Sequence, residues 1–139
     1  MLQHLIAQDL GEIWSVLSRQ EKRVLAAGFQ IHNYKKNQII YAEGDEPEHL
    51  WCLLKGKVKK YKNGICDRIQ ILRLHRPVQF FGYRAYFARE SYVSSAAAIE
   101  SSVIGAVPLK VVEQLIRSNI DVAMFFIHEL SRNLGVDDT

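Results

Sequence analysis

The chain has 139 residues, 48% apolar and 24% charged, a globular composition that excludes disordered, collagen-like and low-complexity classes. Its 18 Lys and Arg against 15 Asp and Glu leave a net charge of +3, too small a surplus for a self-sufficient DNA-binding face. The length suits one domain able to bury a core without disulfides or metal, and excludes an independent multidomain enzyme.

The start, Met1-Leu2-Gln3-His4-Leu5-Ile6, lacks the basic segment and apolar run of a signal peptide. No stretch approaches the roughly 18 uncharged apolar residues of a spanning helix. Two separated cysteines, Cys52 and Cys66, form no disulfide framework, so a soluble, cytoplasmic protein is expected. Helices are predicted over 10–17 and 19–27 from the spacing of Ile13, Val16, Leu17, Val24 and Leu25. Between them Ser18-Arg19-Gln20-Glu21 matches a capping box, and Gly28 stops the second helix.

From Phe29 onward the pattern changes to short β-rich runs: 29–34, 38–41, 49–54, 57–62, 66–74, 79–81, 93–99 and 102–107. Asn63-Gly64 predicts a two-residue type I′ hairpin, because both residues tolerate positive φ. Many close strands without intervening helices indicate an antiparallel sandwich or roll. Helix returns near 109–117 after Pro108, and Asn119 or Asp121 caps a last, apolar helix. There Ala123, Ile127, Leu130 and Leu134 follow the 4-3-4 spacing of a helix-pair seam. Val122, Phe125 and Phe126 form a second stripe, and one broad core face explains the same residues equally well. The expected organisation is a helical segment over 1–28, a β-roll over 29–108, and helices over 109–139.

The run Tyr41-Ala-Glu-Gly44-Asp45 through Leu50-Trp51, Leu53-Leu54, Gly56, Val58-Lys59 and Tyr61 carries a family pattern. In order and spacing it resembles the cyclic-nucleotide-binding sensor domain of Crp/Fnr transcription regulators. Asn63-Gly64, Phe80-Phe81-Gly82, Ala98-Ile99-Glu100 and the final helix continue the likeness over nearly the whole chain. The resemblance implies a mainly β architecture with flanking helices: an antiparallel β-roll, or jelly roll, followed by a parallel homodimerisation helix. It also implies that a DNA-reading helix-turn-helix belongs to the parent protein and is absent from these residues, so a sensor fragment is expected. DNA would be contacted only through that missing part, and no membrane is involved.

Relatives that bind cyclic nucleotides carry a cassette after the Phe-Gly element, with a Glu for the ribose and an Arg for the phosphate. Here Tyr83 stands in the Glu place, and Tyr92 or Val93 in the Arg place. Loss of the charge-assisted bond, on the order of 1.5–3 kcal/mol, argues against cyclic AMP binding in the usual way. Candidate pocket residues are Phe81, Gly82, Tyr83, Arg84, Tyr86, Phe87, Arg89, Tyr92, Ser94 and Ser95, an aromatic, hydroxyl-bearing lining for an unidentified small effector. The same aromatics can equally fill the interior. Arg84 and Arg89 are either substitute cations or exposed charges on a helical turn.

No cofactor is predicted. Two cysteines in strands cannot hold a four-thiolate cluster, and Cys52 reads as core. His75, read as a loop residue beside Arg76-Pro77, and His128, read as a helix-face group, leave haem open but unsupported. The five His show no His-x-His pair, and no phosphate loop or nucleophile elbow occurs, so no enzyme is expected. Lys55, Lys57, Lys59, Lys60 and Lys62 read as solvated edge-strand lysines; the other reading is a docking face on a stand-alone interaction module.

Overall fold

A computed structural model describes residues 11–64, 66 and 68–137, the side chains of 136 and 137 excepted. The chain divides into two compact units: Phe29–Leu109, and the flanking segments Met1–Gly28 and Lys110–Thr139.

The first unit is two four-stranded antiparallel sheets. One orders β1 (Gln30–Tyr34), β8 (Ser102–Pro108), β3 (His49–Lys55) and β6 (Gln79–Phe81). The other orders β2 (Ile39–Tyr41), β7 (Ser95–Ala98), β4 (Val58–Asn63) and β5 (Ile69–His75). This is the expected β-roll. Its core joins both sheets: Leu53, Ile104 and Phe81 from one, Tyr41, Ala96 and Val58 from the other, with Ala85 and Tyr92 added. Alternation along each strand dictates the membership, since register partners such as Leu53 and Ile104 share a face.

The hairpin differs from expectation. Asn63 pairs with Ile69 across five residues, and neither Asn63 nor Gly64 takes positive φ. Gly64 N–H instead donates to the Arg68 carbonyl, and Cys66 holds the left-handed conformation, in the turn and not in a strand. Closing the β5 register at Ile69 leaves too many residues for a two-residue turn. A second correction concerns the lysines. β4 lies between β7 and β5, so its lysines do not guard an edge. His75 is not a loop residue either: it ends β5 and is buried.

The flanking unit is helical: α1, described over 11–15, α2 (Arg19–Gly28), α4 (Leu109–Ser118, which begins one residue inside the roll unit) and α5 (Ile120–Asp137). Between the sheets' elements, α3 (Arg84–Ala88) belongs to the roll. The capping box is present, with Ser18 N–H donating to Glu21 Oε1 at 2.8 Å and Glu21 N–H to Ser18 Oγ at 3.1 Å. Glu21 also accepts from the Ser118 hydroxyl and the Asn119 amide, at 2.8 and 3.0 Å. Asn119 caps α5 by accepting from Asp121 N–H at 3.0 Å. These bonds, led by the Ser18 amide, hold the Glu21 carboxyl below its ordinary pKa. Ile13, Leu17 and Leu25 are buried as predicted, whereas Val24 is exposed. On α5, Val122 and Phe126 are buried, Ala123 and Leu130 half-buried, and Ile127 and Leu134 exposed at 53% and 63%.

Candidate functional site

The cassette begins at Gly82, which follows β6 with φ +78. A Cβ there would stand 2.6 Å from Trp51 Cδ1 and 3.1 Å from the Tyr92 hydroxyl oxygen, so glycine is required twice over. Tyr83 and Ala85 are buried, Tyr86 and Phe87 half-buried and edge-on to each other at 5.6 Å. Arg89 stops α3 in the left-handed conformation at φ 60, and its N–H donates to the Tyr86 carbonyl at 3.1 Å. Arg84 pairs with Glu90 at the surface. Both arginines are exposed, which is how a short helical turn disposes of charge.

Tyr92 turns inward. Its backbone is clasped to the loop after β2: Tyr92 N–H donates to the Asp45 carbonyl at 2.9 Å, and Gly44 N–H to the Tyr92 carbonyl at 2.8 Å. Ser91 reinforces this by donating to Glu46 Oε1 at 2.7 Å. The ring then stacks on Tyr41 with centroids 3.8 Å apart, and its hydroxyl donates to the Gly82 carbonyl at 2.9 Å. Burial pushes the Tyr92 phenol up to about 12 and the Tyr41 phenol up as well, so both stay neutral. Ser94 and Ser95 are buried, and Ser95 Oγ accepts from Glu43 N–H at 2.8 Å. Phe81 lies against Tyr41 on one side and stacks on His75 at 4.9 Å on the other.

Chemically, this is an apolar interior closed by two neutral phenols. Tyr41, Trp51 and His75 belong to it although the cassette spacing gives no sign of them; alternation along β2, β3 and β5 is the signal that points them inward. His75 Nε2 is buried without a partner, and burial, followed by the charges of Lys60 and Arg73, lowers its pKa to about 4. Among the described residues no group of three His, Cys, Asp or Glu is placed to hold a metal ion. No helix of the described residues is long and apolar enough to cross a membrane.

Residues 31–119 match the cyclic nucleotide-binding domain. The chain belongs to that family. This cyclic nucleotide-binding domain is 30% identical over 81 residues to the regulatory protein HlyX of Actinobacillus pleuropneumoniae, which covers 58% of this chain and 33% of HlyX. In structure it is similar to the sensor domain of the transcriptional regulator DNR from Pseudomonas aeruginosa, with a TM-score of 0.79, 21% identity and coverage of 95% of this chain and 92% of that one. It is similar also to the Thermus thermophilus catabolite activator protein, with a TM-score of 0.76 and 24% identity, covering 92% of this chain and 60% of the other. Against HlyX and the catabolite activator, the chain therefore spans less than two thirds of the relative's length. The fold is the one those regulators share. Of the two residues expected at the cassette's phosphate position, Tyr92 is buried and Val93 exposed.

Proposed function

We propose that this chain is the effector-sensing and dimerisation domain of a Crp/Fnr-type bacterial transcription regulator whose cassette does not take cyclic AMP in the usual way. The observation that carries the reading is the inward Tyr92 ring, stacked on Tyr41 where a charged phosphate partner would be needed. An effector entering beside Phe81, Gly82, Tyr83 and Tyr86 would have to displace that ring and pull on the Gly44-Asp45 loop it clasps. Arg84, Arg89, Ser94 and Ser95 frame the same segment. Only an effector with different affinity for the two arrangements could drive such a change. The exposed Ile127 and Leu134, with Ala123 and Leu130, supply the seam for a second copy, and DNA would be read by a separate part of a cytoplasmic regulator.

Titration calorimetry with cyclic AMP tests this reading. No saturable heat at micromolar nucleotide is expected, and saturation in that range overturns it. The burial of Phe81, Tyr83 and Tyr92 also favours a second reading, an interaction module with no small effector. A ligand-dependent rise in Tm separates the two.

A further inference from the structure

β5 is the edge strand of its sheet, hydrogen-bonded to β4 on one side, and among the described residues no strand pairs with its other side. Edge strands in natural proteins are shielded by charged side chains, by proline or by a covering element. This one is apolar: Ile69, Ile71, Leu72 and Leu74 are each between 41% and 56% exposed. Ile71 pairs with Tyr61 and Leu74 with Lys59, whose Nζ lies 5.2 Å from the centre of the Tyr61 ring. Lys59 and Tyr61, two apart on β4, share the face opposite the core residue Val58. Ile71 and Leu74 therefore stand on the outer face of the roll, where alternation calls for polar residues.

Positive charge surrounds this strand. Residues 55–76 hold eight Lys and Arg and one acidic residue, a local charge of +7 in a chain of +3. Lys62 and Arg68 lie at the hairpin end of β5 and Lys57 and Arg76 at the other, all four exposed. That distribution selects among occupants. Two copies paired edge to edge would set two basic hairpins side by side, which repel. A lipid surface leaves the open N–H and C=O groups of the strand without partners in hydrocarbon. Nucleic acid phosphates would use the cations but leave Ile71 and Leu74 in water. An extended acidic segment of another protein meets all three features: its backbone takes the edge, its apolar side chains cover Ile71 and Leu74, and its carboxylates face the cations.

We propose that β5 is a docking edge for an extended segment of a partner protein, in which acidic and apolar residues alternate, added to the sheet as a fifth strand. Main-chain bonds supply the attachment, and the outward Ile71 and Leu74 with the flanking cations supply the selectivity. The inference does not depend on what the cassette binds.

Fluorescence anisotropy with a labelled octapeptide alternating Glu and Val is the test. Saturable binding below about 1 mM is expected, and its Lys-Val counterpart should not bind. Backbone N-methylation of the peptide separates strand addition from a charge contact: methylating one alternate set of amides abolishes binding, and methylating the other set leaves it. Ile71→Ser combined with Leu74→Ser weakens binding at least about tenfold, on the scale of two aliphatic side chains removed from contact. Lys62→Glu combined with Arg68→Glu does the same, whereas Lys36→Glu, an exposed cation outside the hairpin, leaves binding intact. Should the serine variant fail to fold, the two methylated peptides, which leave the protein untouched, carry the comparison. No saturation at about 1 mM, equal binding of both methylated peptides, or binding of the Lys-Val peptide overturns the proposal. So does self-association, or co-sedimentation with phosphatidylserine vesicles, that the serine variant abolishes, since either names another occupant.

Discussion

Tyr92 lies on Tyr41, ring centroids 3.8 Å apart and planes 12° from parallel. The stack fills the interior of the roll beside Phe81, and it is held by backbone bonds to Gly44 and Asp45. Removing the ring leaves a cavity among Phe81, Ala85 and Ala96. Tyr92→Ala is expected to cost about 3 kcal/mol or more, and Tyr92→Phe about 1 kcal/mol for the hydroxyl bonded to Gly82. Urea unfolding measures both; an alanine variant within about 1 kcal/mol of the parent would show that the stack is not structural.

Gly82 joins β6 to the cassette with no room for a side chain. Its φ of +78 disfavours any L residue, and the Trp51 ring occupies the place of a Cβ. Gly82→Ala should destabilise by about 2 kcal/mol or more, from backbone strain and overpacking together. A thermal melt reports it, and an unchanged Tm would mean that Trp51 yields freely.

Acid should weaken the roll through His75. The folded imidazole has its pKa lowered to about 4 from 6.5, chiefly by burial and then by Lys60 and Arg73. Between those values the unfolded chain binds more protons than the folded one, so stability falls as pH drops. The contribution is complete above the unfolded pKa and is lost progressively toward pH 4. From pH 7 to about pH 4.5 the parent should lose about 2 kcal/mol more than His75→Leu. Parallel pH series of unfolding free energies check this; identical slopes would contradict it.

The exposed α5 face makes a prediction about assembly. Ile127 is 53% exposed while Val122 and Phe126 are buried, so Ile127→Lys leaves the buried stripe untouched. Sedimentation velocity should show the dimer shifted toward monomer, with Tm unchanged at high dilution. A dimer of undiminished strength would place the association elsewhere. The same measurement on Phe126→Ala tests the contrast, since that change should lower Tm by unpacking the buried stripe.

Much of the architecture is written locally. The Ser18–Glu21 box, the Asn119 cap and the eight β runs follow from short-range chemistry, because caps and pleats depend on neighbours a few residues apart. The hairpin was less legible: Asn63-Gly64 favours a two-residue turn, but the long-range β4–β5 register overrides that preference. His75 looked like a loop residue because Arg76-Pro77 follows it, although its ladder pairing with Val58 carries it into the core.

The lysines show the same division most clearly. Composition supplied only a modest basic surplus of +3, with nothing to say where it lies. Local pattern alone specifies a single β-roll with helical flanks, and the family resemblance puts Tyr83 and Tyr92 or Val93 at the positions where charge is expected. Tertiary structure alone decided that Tyr92 fills the interior against Tyr41 and that Lys60 and Arg73 share the inner face. The reason is physical: which residues face each other across a sheet is set by register between strands distant in sequence, and no local propensity encodes it.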